Sequence, residues 1–525
     1  MDASAVESAA TEEDARGGAE KPARKAVGWL DRAIVLWLFG LALFAPLSIA
    51  ATQISWMCGL ALWAVRWLLR RDAQRSSTPL DYALLGFFIL TFISGLFSYD
   101  QTVSLGKLRG ASLFTIAYLV ACNVRERRTL RRLALVLVAS CMLTVVYTFG
   151  ERAVGRGLKI EGVRDESPLA AAMFRTSDDR LAPTPIRSGD IVLEVDGRKV
   201  RSPEELAEAL EGNGSMDVAA PARVKIYRVE WMPVLEVARG RLLDGRTPLE
   251  RLGIESWSRG RDWRASGFYG HYVTYAEVLQ LIASLAFGLF IALRNKRGMT
   301  GALLLMALAG LSLALLMTVT RAAWLSFLLS AFVIVLTGTS RRTALVIAAC
   351  VLPLVLGGYF ILKQQRKVGF YDQNDQSVTW RQTVWREGVG LLVSRPRHLL
   401  AGVGMDSIKR HWREWGLFDG GRIPVGHLHS TPLQLAVERG IPTLIAWLLL
   451  VGLYARMLWR LARAPAPDDW IEHGLALGAL GGLFGFFASG LAHYNLGDSE
   501  VAMVFYLIMG LCLALERQRA EKSTA

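Results

Sequence analysis

A histidine stands directly before a predicted helix start in the segment 425–443. Ser430 or Thr431 is suited to cap this helix, with Pro432 as its first residue. The partial positive charge of a helix N-terminus favours a neutral imidazole and a nearby anion. His429 therefore fits a general base that works beside a phosphate. A histidine that only caps the helix or packs against a lid fits the same pattern.

Two arginines are candidates for holding such an anion. Arg321 lies between two apolar stretches, where a charge is costly unless it snorkels or meets an anion. Arg381 lies in the polar segment 378–385. Guanidinium groups present forked donors and stay charged, so both residues suit a diphosphate. A snorkelling role for Arg321 and a surface ion pair for Arg381 stay open.

Other polar residues could support His429. His427 and His429 could in principle ligate zinc from one face of a strand, but no partner cysteine or HExxH pattern accompanies them. We therefore predict no metal, and we interpret His427, Ser430, Glu438 and His271 as residues around the catalytic one. The sequence has no Walker loop, Rossmann glycine pattern or GxSxG elbow, so we predict no cofactor.

The apolar residues come in blocks that are long enough to hold these side chains in a membrane. The chain has 525 residues, of which 52% are hydrophobic, and short charged stretches separate the blocks. This pattern predicts an all-α polytopic membrane protein of about twelve transmembrane helices. The predicted spans are 33–50, 54–69, 82–97, 111–122, 133–149, 272–293, 301–319, 322–336, 343–362, 441–459, 474–492 and 501–515.

The charges between the spans predict an orientation. Basic connections alternate along the chain, near 70–75, 125–132, 294–297, 341–342 and 456–463. By the positive-inside rule these connections and both termini are cytoplasmic, which places the long loops outside, in the periplasm of a bacterial inner membrane. The predicted organisation is a disordered tail at 1–31, spans 1–5 within 32–149, a loop at 150–270, spans 6–9 within 271–362, a catalytic loop at 363–440, spans 10–12 within 441–515 and a tail at 516–525.

The formal net charge of +14 is concentrated in part on the loop 363–440. A basic external surface indicates an anionic substrate or contact with lipid phosphates, and nucleic acid is not expected on that side. Plain contact with anionic membrane lipids explains many of these residues taken singly.

A soluble module is predicted inside the first loop. Ile191, Leu193 and Val195 alternate as a half-buried strand, and the pair 196–197, Asp-Gly, is typical of a hairpin turn. Ser202 then caps a predicted helix that begins at Pro203. Val224, Ile226 and Tyr227 indicate a returning strand.

The segment 161–238 resembles a PDZ domain of the kind found in bacterial periplasmic proteases. The second half carries the resemblance, through its Gly-Asp pair, strand, Asp-Gly turn and helix. A PDZ groove implies a peptide ligand bound by strand addition. A small folded cap that shapes the periplasmic entrance is the alternative.

The histidine segment resembles the signature of bacterial O-antigen ligases. That signature is a His, then Asn, Ser or Gln, nine residues, a Gly, two residues, and then Gly, Thr or Tyr. The residues that match its fixed positions are His429, Ser430, Gly440 and Thr443. The resemblance implies that His429 is the family's essential histidine. With Glu438 before Arg439, the same segment is similar to the wider superfamily, which includes O-antigen polymerases and protein O-oligosaccharyltransferases.

The arginines also have counterparts in that superfamily. Arg321 resembles its arginine after a small hydroxyl residue, and Arg381 precedes His429 at about the separation of the second essential arginine. The segment 267–277 is similar to the start of the sixth span, but His271 and Tyr272 depart from the small or amide residues of many members.

The resemblance implies transfer of a glycan from an undecaprenyl diphosphate carrier to a hydroxyl of the lipid A core, without nucleotide or metal. An O-antigen or exopolysaccharide polymerase uses the same donor, and a protein O-oligosaccharyltransferase transfers to a polypeptide that the module could present. A transporter is a distant alternative, because we find no internal repeat and most charges lie at span ends and in loops.

Overall fold

The structure is a computed structural model that describes residues 27–69, 77–175, 180–211, 220–228, 232–261, 263–345, 376–464 and 469–524. The chain divides into two compact units. The first comprises Met1–Val145 and Ser266–Ala525, and the second comprises Val146–Ala265.

The first unit is helical. Its longer helices are Val27–Phe44, Ile49–Leu69, Asp81–Leu96, Arg127–Val154 (which continues into the second unit), Tyr272–Ala292, Met299–Met317, Arg321–Gly338, Gln376–Val393, Ile441–Arg463, Trp470–Gly490 and Ser499–Thr524. Shorter helical segments are Gln101–Gly106, Leu108–Ala111, Ser112–Phe114, Thr115–Asn123, Pro396–Ala401, Ser407–His411, Phe418–Gly421, Thr431–Arg439 and Asn495–Gly497.

Nine helical stretches within the described ranges are long and apolar enough to cross a membrane. Together with the small antiparallel sheet of the second unit, they confirm the predicted fold class. The fourth predicted span is the second half of a longer, interrupted helical stretch, Gln101–Asn123. Most of the ninth predicted span, 343–362, lies outside the described residues, so the count of about twelve stays a prediction.

Helix ends differ from the predicted span ends at both ends of the chain. The first helix begins at Val27, within the predicted tail 1–31, and ends at Phe44. The last helix continues to Thr524, through the predicted tail 516–525. Contacts beyond the apolar stretch support this extension, since Arg519 donates a hydrogen bond to the carbonyl of Leu461 at 3.0 Å.

The helical unit has two distinct ends, which the Trp470–Gly490 helix connects. At its start, Glu472 pairs with Arg127 at 3.3 Å. At its other end, the hydroxyl of Ser489 donates a hydrogen bond to the carboxylate of Glu277. The basic connections 125–132 and 294–297 lie at the first end. We call the second end the histidine end, because His493 follows the helix there. Which end faces the cytoplasm stays a prediction from the positive-inside rule.

Glycines allow two of the central helices to approach closely. A Cβ atom at Gly474 would lie 2.6 Å from the Cα of Leu289, and one at Gly478 would lie 2.6 Å from the Cα of Leu285. Small residues at such contacts let helix backbones meet inside a membrane, where apolar surface alone gives little driving force. This packing fixes the Tyr272–Ala292 helix, which carries Glu277, against the Trp470–Gly490 helix.

The second unit is an antiparallel sheet with two short helices. Its strands are β1 (Leu158–Val163), β2 (Met173–Arg175), β3 (Leu181–Pro183), β4 (Ile191–Val195), β5 (Arg198–Lys199), β6 (Ala222–Tyr227), β7 (Val234–Val237) and β8 (Ile254–Arg259). The order is β3-β2-β7-β6-β4-β1-β8, and β5 pairs with β4. The helices are Pro203–Glu211 and Pro248–Leu252.

The local predictions for this unit are confirmed at the turn, the helix and the returning strand. Asp196 and Gly197 both have positive φ, 49° and 80°, as a two-residue hairpin turn requires. The Ser202 hydroxyl accepts a hydrogen bond from the backbone nitrogen of Glu205 at 3.4 Å, which caps the helix. The resemblance to a PDZ domain stays a prediction.

The prediction of a half-buried β4 is wrong. Ile191, Val192 and Leu193 are all buried, so both faces of β4, which lies between β1 and β6, are shielded from water. Val192 points into the apolar core of the unit. Ile191 points to the other face, where a Cβ atom at Gly157 or Gly260 would clash with its side chain. Two glycines therefore cover the face that the alternating pattern left open to water.

Candidate functional site

His429 lies in a strained turn immediately before a helix. Its φ is 50°, a left-handed value that is uncommon for residues other than glycine. The helix that follows is Thr431–Arg439, with Ser430 as the N-cap residue. The predicted position of Pro432 is wrong by one residue, since Thr431 has helical geometry and precedes it. The structure must stabilise this backbone strain through other contacts.

The two histidines of the turn contact each other. The backbone nitrogen of His429 donates a hydrogen bond to Nδ1 of His427 at 3.3 Å, and the ring centroids are 4.4 Å apart. Burial, together with the nearby His427 and Arg381, lowers the pKa of His429 to about 3. Burial also lowers the pKa of His427 to about 4. Both imidazoles are therefore neutral near pH 7, the protonation state that a base needs.

Arg381 is brought to this turn by the Gln376–Val393 helix. One helical turn after it, Trp385 donates its indole N–H to the carbonyl of Leu428 at 2.9 Å. Leu428 is fully buried and directly precedes His429. The helix thus holds the backbone beside His429 and carries Arg381 on the same face. The contribution of Arg381 to the lowered pKa of His429 reflects this proximity.

Arg321 is the first residue of the Arg321–Gly338 helix. This helix packs against the Trp470–Gly490 helix, where a Cβ atom at Gly485 would lie 2.8 Å from the carbonyl oxygen of Ser326. Since Gly485 lies near the end of its helix and Ser326 near the start of the other, Arg321 lies at the histidine end. The structure therefore places Arg321, Arg381 and His429 at one end of the helical unit.

A buried hydrogen-bond network supports the turn from the side of the membrane helices. Glu277, fully buried, accepts hydrogen bonds from His493 Nδ1 at 2.9 Å and from Asn495 Nδ2 at 3.4 Å. The backbone nitrogen of Thr431 donates to the carbonyl of His493 at 3.0 Å. The hydroxyl of Thr431 lies 2.9 Å from Oδ1 of Asn495. Glu277 is therefore connected, through one loop, to the residue two positions after His429.

The remaining predicted residues have defined surroundings. His271 is the N-cap residue of the Tyr272–Ala292 helix, and its contribution to the lowered pKa of both other histidines shows that it is near them. Ser430 is buried, but its side chain makes no capping hydrogen bond. Glu438 is buried and accepts a hydrogen bond from the backbone nitrogen of Asp406 at 2.8 Å. Burial raises the pKa of Glu438 to about 7.

A cavity of about 490 Å³ opens beside the turn. His427 lines it, together with Tyr494, Lys409 and Arg439, whereas His429, Arg321 and Arg381 are not among the lining residues. From the sequence, Lys409 was only one of many basic loop residues and Arg439 only part of the family resemblance, and neither Tyr494 nor the network around Glu277 had a predicted role. An ionisable residue inside a predicted span was a usable signal for Glu277. Within the described ranges, no group of three or more His, Cys, Asp and Glu residues is arranged to hold a metal ion.

The comparisons with known proteins bear on the same part of the chain. Residues 302–448 match a family model described as O-antigen ligase. A search of curated proteins found no match. The matched segment contains Arg321, Arg381, His427 and His429, and it supports the O-antigen ligase family that the histidine segment resembles. The second unit, Val146–Ala265, lies outside the matched segment.

Proposed function

We propose that this protein, which carries an O-antigen ligase domain at residues 302–448, transfers a glycan from an undecaprenyl diphosphate carrier to a hydroxyl of the lipid A core. The reaction takes place at the periplasmic face of a bacterial inner membrane, with both termini cytoplasmic, and uses neither nucleotide nor metal. The observation that supports it most is His429, neutral and partly buried in a strained turn beside Arg381, within the segment that matches the family.

In this mechanism His429 takes the proton from the acceptor hydroxyl. The acceptor oxygen attacks the anomeric carbon of the donor glycan, and the bond between that carbon and the diphosphate oxygen breaks. Arg321 and Arg381 neutralise the departing diphosphate, whose negative charge grows in the transition state. The pKa of His429 is low in the free site, and an anion bound beside the ring raises it toward the value that a base needs.

Two other acceptors define the alternatives within the family. A polymerase transfers the same donor glycan to a second lipid-linked glycan. A protein O-oligosaccharyltransferase transfers it to a polypeptide, and the edge strands β3 and β8 of the second unit are of the kind to which an extended peptide can add. The choice among these acceptors rests on the resemblance and not on a contact in the site.

The test is a transfer assay with purified full-length protein in detergent or liposomes. A lipid diphosphate-linked glycan is offered separately to core lipid, to a second lipid-linked glycan and to a protein acceptor. The proposal predicts product on core lipid alone. Product on the second glycan alone identifies a polymerase, and product on protein alone identifies a protein glycosyltransferase; either result overturns ligation.

A further inference from the structure

The cavity beside the histidines contains a buried arginine whose donors are poorly satisfied. Arg439 is only 8% exposed. Its two terminal nitrogens make long hydrogen bonds of 3.4 Å, to the hydroxyls of Thr91 and Tyr494. Its Nε has no hydrogen-bond partner. A guanidinium group has five N–H donors, and burying it with so few good acceptors is costly unless a ligand completes the set.

The guanidinium group is held in place by its surroundings. Its Cζ lies 5.7 Å from the ring centroid of Phe87, and the backbone carbonyl of Arg439 accepts a hydrogen bond from Thr443 at 2.8 Å. Arg439 is also the last residue of its helix, which begins at Thr431 within the network described above. The arginine is therefore positioned by the same helix that follows His429.

Further cations line the same cavity. They are Lys107, Arg109 and Lys409. The carboxyl groups in the lining are Asp406, Glu438 and Asp498. Asp406 pairs with both lysines, at 3.1 Å to Lys107 and 3.0 Å to Lys409. One carboxylate offsets the charge of only one of the two lysines, so the pair keeps a net positive charge in addition to Arg109 and Arg439.

The two other carboxyl groups only partly offset the four cations of the lining, because Glu438 is about half protonated near pH 7, although Asp498 is mostly ionised there. Burial raises the pKa of Glu438 to about 7 and that of Asp498 to about 6. Asp498 also accepts a hydrogen bond from the hydroxyl of Thr274 at 2.9 Å. The cavity therefore favours an anion, and its apolar walls, which include Phe87, Trp56 and Leu113, offer a surface for a sugar or lipid part of the same molecule.

We propose that this cavity binds a phosphate group, with Arg439 as a direct ligand and Lys409 and Lys107 as supporting cations. Arg321 and Arg381 are not among the residues that line this cavity, which lies on the His427 side of the histidine turn. In the transfer reaction, on which this part of the inference rests, the phosphate belongs either to the carrier diphosphate of the donor or to a phosphorylated acceptor lipid.

Direct binding tests the site without any need for transfer. The purified full-length protein is titrated with inorganic pyrophosphate and with farnesyl diphosphate, and farnesol serves as the uncharged probe. A protein with Arg321→Gln and Arg381→Gln is titrated in parallel, and the binding that it keeps belongs to the cavity. Wild type binds both diphosphates and not farnesol at the same concentration. Arg439→Gln weakens diphosphate binding by about tenfold or more, since a charge-assisted hydrogen bond contributes that much. Lys409→Gln weakens it by a smaller factor, because Lys409 shares its charge with Asp406.

Two further variants control for folding and for surface charge. Arg439→Lys keeps the charge but loses the forked donors, and we expect its affinity to lie between those of wild type and Arg439→Gln. Arg422 is a surface arginine of the same loop, with 85% of its side chain exposed, and Arg422→Gln should bind as wild type does. Wild-type affinity in a folded Arg439→Lys or Lys409→Gln protein, or an equal loss in Arg422→Gln, overturns the proposal.

The KM values for donor and acceptor identify which substrate carries the phosphate. In Lys409→Gln, a raised KM for the donor with an unchanged KM for the acceptor assigns the site to the carrier diphosphate, and the reverse assigns it to the acceptor. If the wild-type protein transfers no glycan but the Arg439 variants still bind diphosphate more weakly than wild type, the proposed function is disproved and the phosphate site is supported. The two proposals therefore fail separately.

Discussion

Two fully buried glutamates lie at opposite ends of the helical unit and are stabilised in different ways. Glu277, at the histidine end, is surrounded by the hydroxyl of Ser489, the amide of Asn495 and the ring of His493. Glu472, at the other end, is paired with arginines: Arg127 at 3.3 Å and Arg131 at 3.7 Å. One carboxylate is thus part of a hydrogen-bond network, and the other is part of an ion-pair cluster.

The difference separates a positioning role from an anchoring role. The arginines around Glu472 belong to the Arg127–Val154 helix, so this cluster ties two membrane helices together. Two partners of Glu277, His493 and Asn495, belong to the loop that also contacts Thr431, so this network ties a membrane helix to the turn of His429. We expect changes at Glu472 to affect stability and changes at Glu277 to affect the chemistry.

Among the changes that compare the two ends, Glu277→Gln is expected to have the largest effect. The amide keeps the shape of the side chain but cannot accept from both His493 and Ser489 as a carboxylate does, so the loop and the turn that follows shift. A displacement of about 1 Å at a catalytic group costs on the order of a hundredfold in rate. We predict a fall in kcat for glycan transfer of tenfold or more, with little change in donor KM, measured on protein of normal melting temperature.

Glu472→Gln is the matched control for that prediction. Removing this carboxylate leaves two arginines with a weaker partner. Breaking a buried ion pair from one side costs about 3–5 kcal/mol, and we expect less here because both arginines are partly exposed. We predict a lower thermal unfolding temperature in detergent and an unchanged kcat for the protein that stays folded. If Glu472→Gln lowered kcat as much as Glu277→Gln, the contrast between the two ends would be wrong.

The histidine pair predicts a pH dependence of stability. The pKa of His427 in the folded protein is about 4, below the ordinary value of 6.5, so the unfolded chain binds more protons between these values. The neutral ring therefore favours folding fully above pH 6.5, and this contribution is lost as the pH falls toward 4, by up to about 3 kcal/mol. On acidification from pH 7.5 to 4.5, wild type should lose more thermal stability than His427→Gln. Parallel curves for the two proteins would contradict the neutral, buried state of His427.

The smallest effects compare neighbouring hydroxyls at the helix start. Thr431 is fully buried and its hydroxyl contacts the loop that carries His493 and Asn495, so Thr431→Ala should cost about 1 kcal/mol and lower transfer several-fold. Ser430 makes no capping hydrogen bond, so Ser430→Ala should change stability by less than about 0.5 kcal/mol. Unfolding temperatures and initial transfer rates measure both. A loss of transfer rate in Ser430→Ala without a loss of stability would mean that its hydroxyl contacts the substrate.

Sequence patterns were sufficient for features that depend on neighbours along the chain. The apolar blocks predicted membrane-length helices, the Asp196–Gly197 pair predicted its hairpin, and the N-cap, which the pattern placed at Ser430 or Thr431, is Ser430. The half-buried β4 was predicted wrongly, because the second face of that strand is covered by Gly157 and Gly260, which approach it from distant positions in the chain.

The surroundings of the site could be predicted only in part, because they too depend on contacts between residues that are far apart in the chain. His429 was identified from its local pattern and its resemblance to a family. Arg439 and Lys409 share a cavity only after helices from different parts of the chain have packed, so their spacing in sequence carries no signal. Glu277 could be flagged as a buried charge in a span, but its connection to Thr431 runs through His493 and Asn495, which are far from it in sequence.

The central claim is that His429 is the base of a glycan transfer reaction. The most direct measurement is the initial rate of transfer from a lipid diphosphate-linked glycan to core lipid, compared between His429→Ala and His473→Ala. His473 lies at the opposite end of the same helical unit and serves as the histidine control. We predict a loss of about a hundredfold or more for His429→Ala and wild-type rates for His473→Ala, in proteins with equal melting temperatures. Full transfer by a folded His429→Ala protein would contradict the account.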